Sequence, residues 1–385
     1  MKFLVSAGEA SGDLYTASLV STLARRLPDA SFHGCAGPRM RGAGVDAVVD
    51  AASLNVVGLV EVVSHLPRIY GEYRNLLDWA RLHKPSAAIL TDSPDFHLRL
   101  AAKLHALDIP VIYFIAPQVW AWRKSRVRQM RRHLAGLLCI FPFEPDFFKR
   151  HRMSATYIGH PLTRLVRPAL SKEEFLRKHR IPASRPLVTL LPGSRPGEIA
   201  RHLPVLADAA SRMNVSQAAT FLLATPAGLS ARLGPEFFRQ PISGSPIQHI
   251  EGETWDAIAH ADLALAASGT VTIEAAILGT PMVTYYKVSP WSWWMGRFLV
   301  DVPFFSMVNL VAGRRVVPEL IQNECSGESL ASYAATLLAD PGALSLMRAD
   351  LAQVAAKLAT SHDPMEMAAD KVMNILQANS DKHVR

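Results

Sequence analysis

Strand-length apolar runs alternate with amphipathic segments along most of the chain. The chain opens with an apolar run over Lys2–Ala7 and a helical pattern over Leu14–Arg26, and further helical patterns cover Tyr70–His83 and Leu98–Leu107. Because parallel strands are joined by helices that cover both faces of their sheet, this alternation predicts a doubly wound α/β domain. The other strands predicted in this part are Ser31–Ala36, Ala87–Thr91, Val111–Phe114 and Leu137–Phe141.

A second alternation follows a polar, proline-bearing stretch over residues 159–186, which we interpret as a hinge that contains the helix Lys172–His179. The tail Leu330–Gln377 has a helical pattern throughout. The strands predicted between hinge and tail are Leu187–Leu191, Thr220–Ala224, Ile247–Ile250, Leu263–Ala266 and Met282–Tyr285.

The predicted fold class is therefore α/β, with two Rossmann-like domains and an interdomain cleft. We expect an N-terminal domain over residues 1–165 and a C-terminal domain over residues 166–345. A helical tail over residues 346–385 is expected to cross to the N-terminal domain or to another subunit. Ligands of such sheets bind beyond the carboxyl ends of the strands, so the cleft is the expected site.

Composition and charge narrow the classes of partner. With 385 residues, 49% hydrophobic and 19% charged, the chain has ordinary globular composition and is long enough for two domains. The net charge is +8, and six basic residues without an acid stand between Arg123 and Arg132. Such a run serves a nucleic acid, an anionic lipid or a solvated helix face. No nucleic-acid-binding motif accompanies it, so no nucleic acid is expected as a partner.

The cysteines and the apolar runs indicate the compartment. Cys35, Cys139 and Cys325 are far apart and odd in number, so neither a disulfide framework nor a paired-cysteine metal site is expected. The apolar start is too short for a signal peptide, and no run approaches the ~20 residues of a membrane span. We expect a cytoplasmic protein without a metal or other cofactor, in which the lone His160 is structural or positions a substrate.

The first candidate element is the glycine turn Gly8–Asp13, directly after the first predicted strand. Its glycines allow a ligand to approach closely, but it lacks the spacing of a dinucleotide loop. We predict an acceptor-hydroxyl site with Gly8, Ser11 and Gly12 on the acceptor side. The structural alternative is a turn in which Ser11 or Asp13 caps the helix.

The second candidate element is Thr91–Phe96, after another predicted strand. A carboxylate within reach of a sugar hydroxyl can take its proton as that hydroxyl attacks, and Asp92 is our choice for this base. Glu9 is the other candidate for the same role. The alternative is that Asp92 or Asp95 caps the following helix, and Asp95 is expected to be structural.

The third element combines Leu191–Ile199 with Ala267–Val283, two runs in which a strand feeds a small-residue turn and a helix. Such turns admit phosphate oxygens to backbone N–H groups at the positive end of a helix, which predicts a nucleotide-diphosphate site. Arg195 contacts the departing diphosphate in this hypothesis, and its alternative is a surface salt bridge with Glu198. The other residues predicted to bind the donor are Gly193, Ser268, Gly269, Thr270 and Glu274, the last through ribose hydroxyls.

Two apolar segments predict contact with an anionic membrane surface, because aromatic rings beside cations suit the interface. Interior packing is the alternative. One segment contains Trp291, Trp293, Trp294, Met295 and Phe298 beside Lys287 and Arg297. The other contains Val56–Val63, Leu66, Ile69 and Tyr70 beside Arg68 and Arg74.

Several motifs together resemble lipid-A-disaccharide synthase, a GT-B glycosyltransferase of family 19. They occur in the family's order over essentially the whole chain, and GEASGD and PQVWAWR are specific to that family. The motifs are GEASGD at Gly8–Asp13, AGPRM at Ala36–Met40, TDSPDF at Thr91–Phe96, PQVWAWR at Pro117–Arg123, IGHP at Ile158–Pro161, LPGSRPGEI at Leu191–Ile199, SGT with Glu274, Asn309-Leu310 and Ala312–Arg314.

The resemblance implies an inverting, metal-independent transferase of lipopolysaccharide assembly on the cytoplasmic face of the inner membrane. It would transfer 2,3-diacylglucosamine from UDP to the 6-hydroxyl of 2,3-diacylglucosamine 1-phosphate, giving a β-1,6 disaccharide and UDP. Asp92 and Arg195 would be the critical pair, and Arg123 would face the acceptor phosphate. Ser194, Glu198 and Asn309 would join the residues around UDP. Val308 departs from the family's usual proline. The sequence leaves the oligomeric state open, with a homodimer as one option. The alternative functions are a UDP-sugar 2-epimerase on the same scaffold and a nucleotide-sugar sensor.

Overall fold

The computed structural model describes residues 1–53, 59–216, 219–289, 293–294 and 302–383. The chain divides into two compact units. The first unit contains Met1–Pro161 and Leu358–Arg385, and the second contains Leu162–Lys357. Among the described residues, no helix combines the length and the apolar character that a membrane span needs.

The first unit has a sheet of parallel strands in the order β3-β2-β1-β4-β5-β6-β7. Strand β1 lies inside the sheet between β2 and β4, with Leu4 opposite His33 on one side and Ala88 on the other. The strands are β1 Lys2–Ala7, β2 Ser31–Ala36, β3 Val45–Asp50, β4 Ala87–Thr91, β5 Val111–Phe114, β6 Gly136–Cys139 and β7 Thr156–Tyr157.

Helices cover this sheet because each buries one apolar stripe. In the first of them, Tyr15, Leu19 and Leu23 recur every four residues and are buried. The helices are α1 Ala10–Arg26, α2 Pro38–Gly42, α3 Leu59–His83, α4 Pro94–His105, α5 Arg126–His133 and α6 Glu144–Arg150, and a 3₁₀ turn covers Ala51–Ser53.

The second unit has another parallel sheet, in the order β10-β9-β8-β11-β12-β13. Its central strands β8 Leu187–Leu191 and β11 Leu263–Ala267 are buried along their whole length, as expected of strands covered on both faces. The other strands are β9 Thr220–Thr225, β10 Ile247–Glu251, β12 Met282–Tyr286 and β13 Glu319–Ile321. The helices are α7 Leu162–Leu165, α8 Lys172–Lys178, α9 Pro196–Ser216, α10 Leu229–Leu233, α11 Glu236–Ile242, α12 Thr254–Ala259, α13 Thr270–Ile277, α14 Met307–Ala312, α15 Gly327–Ala339 and α16 Pro341–Leu358.

The last helix, α17 Pro364–His383, belongs to the first unit. It packs on α1, where Arg26 forms ion pairs with Glu366 and Asp370. Ile375 lies against β6, since a side chain at Gly136 would meet its Cδ1 at 2.5 Å. The helical tail therefore completes the cover of the first sheet.

Each sheet has one point where the strand order reverses direction, between β1 and β4 in the first unit and between β8 and β11 in the second. At such a point the loops after neighbouring strands separate and leave a crevice at the carboxyl ends of the strands, where open α/β sheets bind ligands. The loops that follow these four strands contain Gly8, Asp92, Arg195 and Ser268, in this order.

The contact between β1 and β2 leaves no room for a side chain at Gly34. Its φ is +149°, and a Cβ there would lie 1.9 Å from the carbonyl oxygen of Val5. We expect Gly34→Ala to destabilise the first unit by about 3 kcal/mol, because the strands must separate. Differential scanning calorimetry measures the change, and Gly71→Ala is the matched control because nothing lies within 4 Å of its Cβ position. Equal melting temperatures for the two variants would contradict this packing.

Candidate active site

The carboxylate of Asp92 lies on the turn that follows β1. Its Oδ1 accepts a hydrogen bond from Gly8 N at 2.9 Å, and its Oδ2 accepts one from Glu9 N at 3.0 Å. Asp92 and Ser93 both have left-handed backbone conformations, with φ of 57° and 41°, which turn the chain between β4 and α4. The two loops at the reversal point of the first sheet are thus joined through one carboxylate.

The glycines of the first turn are required by the closeness of this contact. A Cβ on Gly12 would lie 1.8 Å from Asp92 Oδ2, and one on Gly8 would lie 2.4 Å from Ser93 Oγ. Ser11, which is partly exposed, lies in the first turn of α1. The structure therefore brings Gly8, Glu9 and Gly12 together with Asp92, although they are about 80 residues apart in sequence.

The surroundings of Asp92 favour a carboxyl group that titrates near neutrality. Burial, followed by repulsion from the Glu9 carboxylate, raises the pKa of Asp92 to about 7, against the lowering effect of the two backbone N–H groups and Ser93. The side chain keeps part of its surface exposed. A partly exposed carboxyl group with this pKa is suited to general base catalysis.

Three residues that are not among the predicted site residues, Tyr113, His97 and Ser6, form a hydrogen-bond network that holds the backbone of Asp92. The main-chain oxygen of Asp92 accepts hydrogen bonds from the hydroxyl of Tyr113 and from Nδ1 of His97, the latter at 2.8 Å. His97 Nε2 lies 2.7 Å from Ser6 Oγ. Burial lowers the pKa of His97 to about 4, so the ring is neutral. Only the position of His97, five residues after Asp92, signals this contact in the sequence.

Two other acids of the motifs have structural partners. The Asp13 carboxylate accepts from the backbone N–H groups of Gly37, Arg39 and Met40, so it caps α2. The alternative in which Ser11 or Asp13 caps the first helix is wrong, because the N-cap residue of α1 is Glu9, without a side-chain cap. Similarly, the N-cap of α4 is Ser93 rather than Asp92 or Asp95.

Asp95 lies three residues beyond Asp92 and binds two arginines. Its Oδ1 lies 2.8 Å from Arg123 Nη1, and Arg126 forms an ion pair with the same oxygen. The guanidinium of Arg123 also lies over the ring of Trp122, 4.4 Å from its centroid. Two cations on one carboxylate leave this part of the first unit with an excess of positive charge.

The PQVWAWR segment is held by a buried acid, Glu144. Trp120 Nε1 donates to its Oε1 at 3.0 Å, and the N–H groups of Ile140 and Phe141 donate to its Oε2. Burial raises the pKa of Glu144 to about 7. Nearby, His160 is buried with its ring against Phe141, and burial lowers the pKa of His160 to about 3. These contacts favour structural roles for both residues.

In the second unit, the turn after β8 brings Arg195 and Glu198 together. Arg195 Nη1 lies 3.2 Å from Glu198 Oε1, and the same oxygen accepts from the hydroxyl of Tyr286 at 3.0 Å. Gly193 has φ of +101°, and a Cβ there would lie 3.1 Å from Glu198 Oε2. The predicted salt bridge is present, and the Arg195 side chain is still 46% exposed. Ser194 is exposed in the same turn.

A second histidine that the sequence analysis missed supports this turn. His202 Nδ1 lies 2.8 Å from the carbonyl oxygen of Pro192, and its Nε2 accepts from Lys287 N at 3.2 Å. Because a carbonyl only accepts, the proton is on Nδ1. Burial lowers the pKa of His202, which keeps the ring neutral and joins the β8 loop to the end of β12.

The turn after β11 has the geometry of a helix N-terminus open to an anion. Thr270 is exposed at the start of α13, and Ser268 Oγ donates to Phe305 O at 2.7 Å. Gly269 is the N-cap residue, without a side-chain cap. Burial raises the pKa of Glu274 to about 7, and Trp255 donates a hydrogen bond to its side chain.

Asn309 was expected beside the nucleotide, but its amide is occupied within the fold. Nδ2 donates to Val317 O and to Glu319 Oε1, while Oδ1 accepts from the N–H groups of Val316 and Val317. These four bonds use the full capacity of an asparagine side chain. Asn309 is wholly buried, so any effect on a nucleotide has to pass through the turn that it holds.

Within the described residues, no group of three or more His, Cys, Asp or Glu side chains has the geometry to hold a metal ion.

A family model described as lipid-A-disaccharide synthetase matches residues 3–370. The chain belongs to this family. A lipid-A-disaccharide synthase of Solibacter usitatus (strain Ellin6076) is 60% identical over 376 residues, which cover 98% of both chains. One of Koribacter versatilis (strain Ellin345) is 40% identical and covers 98% of this chain and 99% of its own. The protein is therefore a hexosyltransferase of lipid A biosynthesis, as the resemblance implied.

Solved structures confirm the GT-B fold. The S. aureus MnaA-UDP co-structure matches with a TM-score of 0.68 at 12% identity, over 97% of each chain. CalG4, the calicheamicin glycosyltransferase, matches with 0.60 at 15% identity, over 98% of each. The UDP-GlcNAc 2-epimerase of Neisseria meningitidis, bound to UDP-GlcNAc, matches with 0.63 at 13% identity, over 98% of this chain and all of its own. Likenesses at this identity show the fold alone. The match to the lipid-A-disaccharide synthase family therefore decides between the two activities, and the epimerase alternative is not favoured.

Gly12 offers a direct test of the Asp92 geometry. In Gly12→Ala the new methyl group must displace the Asp92 carboxylate, because the two would lie 1.8 Å apart. A displacement of this size at a reacting group is expected to lower the transferase rate ~100-fold. The rate of UDP release measures the effect, and Gly42→Ala is the control because nothing lies within 4 Å of its Cβ position. A folded Gly12→Ala protein with the wild-type rate would rule out this arrangement.

Proposed function

We propose that the enzyme transfers 2,3-diacylglucosamine from UDP-2,3-diacylglucosamine to the 6-hydroxyl of 2,3-diacylglucosamine 1-phosphate. The products are the β-1,6-linked disaccharide 1-phosphate and UDP, and the configuration at the donor's anomeric carbon is inverted. The observation that carries the proposal is the Asp92 carboxyl group, held at the reversal point of the first sheet by the N–H groups of Gly8 and Glu9.

In this mechanism Asp92 is the general base for a single displacement. The 6-hydroxyl oxygen attacks the anomeric carbon while its proton passes to the Asp92 carboxylate. The bond from that carbon to the diphosphate oxygen breaks on the opposite face, and its electron pair leaves with UDP. Glu9 is the other candidate base. We favour Asp92 because two backbone N–H groups orient its carboxylate, whereas in Glu9 the backbone N–H makes this contact.

The donor half of the proposal rests on the two turns of the second unit. Arg195 and the N-terminus of α13 would stabilise the charge that develops on the departing diphosphate. The Glu198 carboxylate orients the Arg195 guanidinium. Glu274 would accept hydrogen bonds from ribose hydroxyls, and these favour its ionised form although burial raises its pKa to about 7.

The arginines on Asp95 give the acceptor phosphate a partner. Arg123 is 44% exposed and Arg126 is 16% exposed, and their carboxylate partner neutralises only one of the two charges. A guanidinium that is already oriented loses little side-chain entropy when it binds a phosphate. We therefore assign Arg123 to the 1-phosphate of the acceptor, with Arg126 beside it.

Both substrates have acyl chains, which suits an enzyme that associates with the cytoplasmic face of the inner membrane. In support, Trp294 is 55% exposed and Phe305 is 39% exposed, and the ring of Trp293 lies 6.1 Å from that of Phe305. Tyr70 in the other predicted segment is 62% exposed. Part of these two segments lies outside the described residues, namely Trp291, Met295, Arg297 and Phe298, residues 56–58, and the side chains of residues 59–66.

The reaction is tested by incubating the enzyme with UDP-2,3-diacylglucosamine in detergent micelles, with and without 2,3-diacylglucosamine 1-phosphate. We expect UDP release only with the acceptor, together with a disaccharide monophosphate by mass spectrometry and a β anomeric linkage by NMR. An α linkage would overturn the inverting mechanism. UDP release without the acceptor, or no disaccharide, would overturn the substrate assignment.

The base role of Asp92 predicts a pH profile. The base must be ionised, and its pKa is raised to about 7, so kcat/KM should fall tenfold for each pH unit below about 7 and be level above it. Asp92→Asn is expected to lower kcat by ~10²–10⁴-fold. Asp78→Asn removes an exposed carboxylate of the same unit and is the control. If Asp92→Asn retains the wild-type rate, Asp92 is not the base, and Glu9→Gln becomes the next variant.

A further inference from the structure

The main-chain oxygen of Asp92 is surrounded by donors from two other elements. The Tyr113 hydroxyl reaches it from β5, and Nδ1 of His97 reaches it at 2.8 Å from α4. Both side chains are completely buried. A carbonyl oxygen has two lone pairs, so these two donors use its full capacity.

The partners of His97 determine its tautomer. A carbonyl oxygen only accepts, so Nδ1 bears the proton, and the neutral ring leaves Nε2 as an acceptor for the Ser6 hydroxyl at 2.7 Å. Ser6 lies on β1, two residues before Gly8. The network therefore runs from β1 through His97 to the backbone of Asp92, while the Asp92 carboxylate returns to the loop after β1.

This network holds an unusual backbone conformation. Asp92 has φ of 57° and Ser93 has φ of 41°, in a region that few residues other than glycine adopt. Rotation of φ toward ordinary negative values would swing Cβ and the carboxylate away from Gly8 N and Glu9 N. Conformations of this kind persist where surrounding contacts fix them, and they concentrate at active sites.

We propose that His97 and Tyr113 are positioning residues that hold Asp92 in this left-handed conformation, so that its carboxylate stays on the N–H groups of Gly8 and Glu9. Neither residue touches a substrate in this role. The inference rests on the proposed function of Asp92 as base. The competing view is that the two side chains only fill the core, in which case their hydrogen bonds to Asp92 do not affect the reaction.

The pH profile separates these views, because core packing alone would not move the titration of Asp92. Within the described part of the chain, the titratable groups that interact with its carboxyl group or its carbonyl are Glu9, Cys35, His97 and Tyr113. If the carboxylate leaves its enclosed position, it loses the two N–H donors that lower its pKa, but burial and the Glu9 charge, which together raise it by more, also act on it less. Its pKa then falls toward the ordinary value of an aspartate.

The test uses the full chain and three variants, Tyr113→Phe, His97→Leu and His97→Asn. Tyr113→Phe removes one hydroxyl and keeps the ring. We expect it and His97→Leu to lower kcat by ~10–100-fold, with KM for both substrates within about threefold of the wild type. The acid limb of kcat/KM should move down by about one pH unit. His97→Asn should retain a rate within about threefold of the wild type, because an asparagine amide can donate from the position of Nδ1.

Tyr157→Phe is the matched control, since that hydroxyl also donates to a main-chain oxygen of the first unit, Leu358 O, at 3.2 Å. It should keep the wild-type rate and acid limb. If Tyr113→Phe, which keeps its ring in the core, leaves kcat and the acid limb unchanged while Asp92→Asn is inactive, the positioning role is wrong and the base role stands. A lower kcat with an unmoved acid limb would also overturn the positioning role. Full activity in Asp92→Asn would overturn both.

Discussion

The site in the first unit depends on one interaction, the pair of hydrogen bonds that the Asp92 carboxylate accepts from the N–H groups of Gly8 and Glu9. A carboxylate this close to a helix start excludes side chains, which explains the glycine at position 12. It also needs a chain reversal immediately after β4, which the left-handed Asp92 and Ser93 supply. Opposing effects act on the pKa of Asp92 in this position, because the backbone donors stabilise the carboxylate charge while burial and the Glu9 charge destabilise it. The balance raises the pKa of the Asp92 carboxyl group to about 7.

In each unit, a loop at the point where the strand order reverses is held by a histidine with the same pattern of hydrogen bonds. A buried, neutral histidine donates from Nδ1 to a main-chain oxygen in the loop after a central strand, Asp92 O in the first unit and Pro192 O in the second. Nε2 then accepts from a second element, from the Ser6 hydroxyl in one case and from Lys287 N in the other. A charged imidazolium would lose these acceptor bonds, and burial prevents that charge. In both units, a loop that contains candidate site residues is thus joined to its sheet by a histidine whose pKa burial lowers.

The sequence predicted the parts of the fold that have strong local patterns. Strands β1, β2, β4 and β5 were predicted with their observed bounds, because each is a short apolar run. Strand β3 was missed because half of its six residues are exposed, and β7 because it has only two residues. Within the site, the glycines and Asp92 were recognisable from their place after strands. Tyr113 and Glu144 were not, because their roles depend on partners that only the folded sheet brings near.

Three acids, Asp92, Glu144 and Glu274, have a pKa that burial raises to about 7, so a raised pKa does not by itself identify a base. Glu144 has no exposed surface, and its oxygens accept from Trp120 and from two backbone N–H groups, so its carboxyl group serves the fold. Asp92 and Glu274 both keep part of their surface exposed. Asp92 lies in the loop after β4, and Glu274 lies in α13, the helix that follows β11. Their distinction from Glu144 is access to a ligand. The chemistry proposed for this enzyme follows from the combination of a raised pKa with that access, and of the two accessible acids only Asp92 has backbone donors that aim its oxygens.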